Sequence, residues 1–119
     1  MAFCFEHDDG WLPLVTWTAA QLAAVARETG CACRVIQVKE KFAALTMYYR
    51  VDDACPADVR NRLTAIVDGA ARLSALTCER YGRPGRCWRG WGDWLKTLCG
   101  ACAARWDPAA VPDPWPRRR

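Results

Sequence analysis

The residues best suited to chemistry are cysteines near the end of the chain. Cys99 and Cys102 flank Gly100-Ala101, and two thiols at that spacing can both point inward from one turn. Upstream, Thr77-Cys78-Glu79-Arg80-Tyr81-Gly82-Arg83-Pro84-Gly85-Arg86-Cys87 has the Gly/Pro content of a knuckle that can bring further thiolates to the same ion. Cys78, Cys87, Cys99 and Cys102 are therefore the candidate ligands of a tetrahedral sulfur site, with zinc as the expected metal. Cys78 and Cys87 lie farther apart than zinc-ribbon ligands usually do, so this half of the set is the less regular one. A redox dithiol at Cys99 and Cys102 is disfavoured, because no βαβ pattern precedes it.

The other chemistry on offer is contact. Trp88, Trp91 and Trp94 are interleaved with Arg83, Arg86, Arg89 and Lys96. Such a stretch can anchor a protein interface, because Trp and Arg combine large contact area with directional polar groups. It can also stack bases and neutralise phosphates. Arg83, Arg86, Arg89 and Trp91 are the candidate partner-binding residues here. A protein target is preferred over nucleic acid, since the pI of about 8.7 is modest for a nucleic-acid binder. Charge supports a basic lobe: residues 1–77 carry 8 Lys/Arg against 9 Asp/Glu, and residues 78–119 carry 9 against 4. Catalysis finds little footing, because the one His, His7, sits in an acidic terminus and no nucleophile elbow, phosphate loop or deaminase motif is visible.

These groups need a scaffold. At 119 residues and 52% hydrophobic content the chain is sized for one core. Thr18-Ala19-Ala20-Gln21 reads as a capping box opening a helix over 18–29, stopped by Gly30. Cys31–Val38 and Phe42–Val51 read as two strands joined by Lys39-Glu40-Lys41. Alternation places Ala43, Leu45, Met47, Tyr49 and Val51 on one face. Phe42, Ala44, Thr46, Tyr48 and Arg50 lie on the other, which makes Tyr48 a further contact candidate. A helix over 56–77 starts at Pro56 and carries the stripe Val59, Leu63, Ile66, Val67, Ala70, Leu73, which should cover the hairpin.

The expected fold is α+β: a small antiparallel hairpin packed by two helices, extended by a strand near 86–91 and closed by a zinc-ribbon-like lobe over 78–102. Residues 1–106 form one domain. The Pro/Arg-rich tail 107–119 is expected to take neither helix nor sheet. Without a signal-peptide pattern or a membrane-length apolar run, a cytoplasmic protein with no membrane partner and reduced thiols is expected.

Gly10-Trp11-Leu12-Pro13-Leu14, Gln37-Val38-Lys39-Glu40-Lys41-Phe42, the Cys78 knuckle and Trp94 to Cys102 together resemble a family of small bacterial and prophage proteins. Its pattern is GWxPL, QxKEKFGxLRFYY, TCExCGxPGR and GWxxTLCxx(C/H), matched here from about residue 10 to 103. The resemblance implies a phage or mobile-element protein without enzymatic activity, acting by occluding a macromolecule as an anti-CRISPR or immunity protein does. A zinc-ribbon nucleic-acid-binding accessory protein is the alternative. The chain departs from the pattern at Ala43 (Gly), Thr46 (Arg) and Tyr81 (the second knuckle Cys). That last change leaves Cys87 as the nearest fourth ligand and His7 as a distant one.

Overall fold

The computed structural model describes residues 5–6 and 9–113. Among them the fold is α+β, with three helices and two small sheets. A 3-10 turn at Asp9–Trp11 leads into α1 (Leu12–Thr29), which starts a turn and a half before the sequence suggests. Pro13 lies in the first helical turn, where its missing N–H costs nothing and its fixed φ suits the helix. Thr18 is therefore internal to the helix, and its hydroxyl donates to the Leu14 carbonyl at 2.7 Å instead of capping. Trp11 anchors the start: it is fully buried and its Nε1 donates to the Thr77 carbonyl at 2.8 Å. Gly30 ends the helix as expected, at φ 75° with its amide bonded to the Ala26 carbonyl.

Strands β2 (Cys33–Lys41) and β3 (Ala44–Val51) form an antiparallel hairpin, and β1 (Phe5–Glu6) adds to β2 in parallel. Lys39, Glu40 and Lys41 complete β2 rather than bridging the strands. The turn is the pair Phe42-Ala43, at φ 54° and 64°. Both central residues of a two-residue hairpin of this hand need positive φ, because only then does the turn's twist match that of the strands. Neither is Gly or Asn, so the turn is strained, and it is held from outside. Ala43 is fully buried and its carbonyl accepts the Thr97 hydroxyl.

Helix α2 (Ala57–Ser74) covers the hairpin with α1. Leu63 is buried against a core that includes Leu45 and Met47, with Ile66, Val67, Tyr49 and Val51 packed around it, so the stripe and the alternation meet as anticipated at these residues, whereas Leu73 is 49% exposed and Ala43 packs in a separate group. Ser74, the last residue of α2, closes one end of the hairpin's open edge: its hydroxyl accepts the Leu45 amide at 2.8 Å.

With β1 on one side of the hairpin and α2 on the other, the segment near 86–91 does not extend this sheet. It founds a second one, in which β4 (Arg86–Arg89) lies between β5 (Leu95–Leu98) and β6 (Val111–Pro112), all antiparallel. A short helix α3 (Gly100–Trp106) follows β5. β6 corrects the expectation for the tail: Pro112 pairs with Trp88, Val111 with Arg89, and the Asp113 amide bonds to the Cys87 carbonyl. Proline is tolerated there because β6 is an edge strand, where a missing donor breaks no interior ladder.

Candidate metal centre and surrounding surface

Cys78 follows α2 on a tight knuckle. Its amide bonds to the Arg83 carbonyl at 2.7 Å and its carbonyl accepts the Gly82 amide at 2.8 Å, with Gly82 at φ 77°. Gly85 has no room for a side chain, since a Cβ there would stand 2.8 Å from the Cys78 nitrogen and 3.0 Å from Leu98 backbone. Glu79 fastens the knuckle to β5. Its amide and the Thr97 carbonyl pair at 2.9 Å, and its buried carboxylate accepts the Thr97 amide at 3.1 Å. Cys99 sits just before α3 and Cys102 inside its first turn.

This construction brings the sulfurs of Cys78, Cys99 and Cys102 within 4.8 Å of one another. Three sulfurs on a tetrahedral zinc at about 2.3 Å would stand about 3.8 Å apart, so a contraction of at most about 1 Å closes the site. Cys78 and Cys102 are fully buried, Cys99 is half-buried, and Leu98, Trp88 and Trp106 pack around them. The thiols are unequal. Amide donation from Cys102, followed by thiol hydrogen bonds and the Ala101 amide, pulls Cys99 below the ordinary thiol range. Burial, then hydrogen bonding and charge from its two neighbours, pushes Cys102 up to about 11. Cys99 is thus the more readily deprotonated of the two. The cluster is close enough to bind a metal ion, and its all-sulfur donor set fits zinc.

Cys87 does not join it. Adjacent strand residues face opposite sides, and Trp88 lies against the thiol cluster, so Cys87 points the other way, into a separate buried group with Ala43 and Leu95. There it helps to dock the tip of the β2–β3 hairpin on the second sheet. His7 lies outside the described residues.

The predicted contact residues are distributed over more than one surface. Arg83 lies over the ring of Tyr81 at 5.2 Å, where Arg105 approaches at 5.9 Å, and Arg86 lies 6.0 Å from the ring of Trp88. Arg89 is engaged by Asp93 and Asp113, each at 3.3 Å, so much of its charge is compensated locally. Trp91 is 65% exposed and its ring stands 6.1 Å from that of Trp94, which is 56% exposed. A 3-10 turn over Trp91–Asp93 presents the pair, with Gly92 at φ 63° and Asp93 at φ 59°. The Asp107 carboxylate clamps the turn by accepting the Trp91 amide at 2.8 Å. Tyr48 sits on the first sheet, with the Lys39 ammonium 5.5 Å from its ring.

Sequence reasoning put Phe42 on the outer hairpin face and Trp94 in the Trp/Arg stretch but named neither among the contact residues. Both line a cleft of about 260 Å³ with Glu40 and Asp93, where the hairpin tip meets the second sheet. Burial, the largest influence, raises the Glu40 carboxyl above its usual range against the opposing effects of the Ala43 amide and Lys96.

No family model matches the chain, no curated protein matches it, and no solved structure matches it. No helix among the described residues is long and apolar enough to cross a membrane.

Proposed function

We propose that the chain is a non-enzymatic binding protein in which a zinc ion held by Cys78, Cys99 and Cys102 staples the lobe that presents Trp91 and Trp94 to a protein partner. The observation that carries this reading is the exposed, tilted tryptophan pair. Two indoles left in water forgo the free energy of their own burial, and they stand on a turn with positive-φ backbone, a local cost that clusters at contact sites. Large aromatic anchors beside a cleft are the usual energetic centre of a protein interface. The lobe's three thiols and two tryptophans enclose little core of their own, so a metal crosslink is the natural source of its rigidity. An occluding mode of action, as in an anti-CRISPR or immunity protein of phage origin, is the form implied by the resemblance to prophage proteins, and it rests on that resemblance.

Elemental analysis of protein purified without chelator should find about one zinc per chain. Cys78→Ser, Cys99→Ser and Cys102→Ser should each lower that content, whereas Cys87→Ser should leave it unchanged. Chelation should lower the unfolding midpoint by about 5 °C or more, because a ligand bound only by the folded state is lost. A zinc content under a tenth of an equivalent would remove the staple from this reading.

The contact surface has its own test. Trp91→Ala/Trp94→Ala should fold like the parent protein, since both rings are more than half exposed. It should nevertheless lose, by about tenfold or more, the nuclease-resistant protein partners that the parent retains in a tagged pull-down. Retention of the same partners by the double variant would place the interface elsewhere.

A further inference from the structure

Among the described residues, the side of the first sheet that faces away from α1 and α2 is largely exposed, apart from Ala44 near the hairpin tip. Leu45, Met47, Tyr49, Val51, Cys33, Val35 and Val38 turn inward to the helices. Alternation and register then bring Arg34, Lys39, Lys41 and Arg50 to the outer side with Gln37, Thr46 and Tyr48. Of the side chains that β2 and β3 direct to this face, four are cationic and none is a carboxylate. Among the described residues no ion pair involves any of the four, although β1 sets Glu6 in register beside Lys39. Glu40 points to the opposite side, where it meets the Ala43 amide.

Arg34 and Arg50 are paired directly across the strands, where like charges repel. They also line one wall of a cleft of about 380 Å³ at the end of the sheet. Asp52 on that wall is already turned to its own loop, accepting the Ala54 amide at 3.0 Å. Two exposed aromatic rings accompany the cations: Tyr48 in the middle of the face and Phe42, 59% exposed, at the hairpin tip. A β-bulge between Val35 and Gln37 puts Ile36, 42% exposed, beside them.

We infer that this sheet face binds single-stranded nucleic acid. The face offers a row of cations outside any ion pair among the described residues, and rings on which bases can stack, along an extended platform about 23 Å long from Arg34 to Lys41. The Lys39 ammonium that now covers the Tyr48 ring is on a flexible stem and turns to phosphate when a base takes its place. A duplex fits less well. Its bases are stacked internally and present no faces to Tyr48 or Phe42, whereas a splayed strand uses rings and cations together. Repulsion between Arg34 and Arg50 is relieved when a phosphate lies between them, which gives their opposition a use that a merely solvated face lacks.

The test is fluorescence anisotropy of labelled, unstructured DNA and RNA strands of about 12 nucleotides, with a blunt duplex of the same length as comparison. The single strands should bind at least about tenfold more tightly than the duplex, and log K should fall with log salt at a slope of about −2 to −3, as expected for four phosphates. Tyr48→Ala should weaken binding by about 5- to 100-fold, the loss of one stacked base. Arg34→Gln/Arg50→Gln should flatten the salt slope by about 1.4 while leaving the unfolding midpoint unchanged or raised, because it removes a repulsive pair. Trp91→Ala/Trp94→Ala should leave strand binding unchanged. The inference is overturned if no strand binds at about 50 mM salt, or if Tyr48→Ala binds like the parent. It is equally overturned if polyglutamate displaces the strand as well as unlabelled oligonucleotide does, or if the tryptophan double variant, rather than the sheet variants, abolishes binding.

Discussion

Leu63→Ala is expected to lower the unfolding free energy by about 2–5 kcal/mol, measured by chemical denaturation with the slope unchanged. Leu63 is fully buried at the middle of α2, where the helical stripe meets Leu45 and Met47 of the sheet. Truncation removes the transfer energy of the side chain and leaves a cavity that two helices and a twisted hairpin cannot close without moving the strands. Ile66, one turn further along, is only partly buried. Ile66→Ala should therefore cost clearly less than Leu63→Ala. An Ile66 effect equal to or larger than that of Leu63 would mean that α2 is rotated on the sheet relative to the packing described here.

Gly10→Ala is expected to be at least as damaging, for a different reason. A Cβ at Gly10 would stand 2.3 Å from the Cys78 carbonyl oxygen and 2.5–2.6 Å from Glu79 backbone atoms, and backbone cannot swing aside as a flexible side-chain end can. The Gly10 amide also bonds to the Glu79 carbonyl at 2.9 Å. The substitution therefore pries the start of α1 off the knuckle that carries Cys78, and with it strains the neighbouring contact of buried Trp11 with Thr77. Overpacking of ordinary side-chain contacts costs about 1–3 kcal/mol; against backbone the loss should reach the top of that range or exceed it. Because the disturbed element holds Cys78, the zinc content proposed for the thiol cluster should fall together with stability. Wild-type stability and zinc content in Gly10→Ala would show that the N-terminal segment does not rest on the knuckle.

These two variants mark what lay open in the sequence and what did not. The helical stripe of Val59, Leu63, Ile66 and Val67 and the alternation through Leu45, Met47 and Tyr49 are local consequences of backbone geometry, with periods near 3.6 and 2, so they can be read without knowing the fold. The convergence of Cys99 and Cys102 is local for the same reason: they share one turn. Cys78 could be added because a Gly/Pro knuckle has few ways to run. At the start of α1 two local signals compete, and Pro13 with the buried Trp11 outweighs the apparent cap at Thr18.

Only the tertiary structure decided the rest, because it depends on register and parity between segments far apart in the chain. A shift of one residue in β4 would exchange Cys87 and Trp88 between the thiol cluster and the hairpin tip, and nothing within the segment itself specifies which faces which. Whether Arg34 stands opposite Arg50, and so whether β2 and β3 turn four cations to the same outer face, follows from the Phe42-Ala43 turn and the bulge beyond Val35. The turn in turn persists at positive φ because Ala43 is clamped by Thr97, 54 residues away. Periodicity fixes what a segment can bury; the pairing of distant segments decides which charges and rings remain in water.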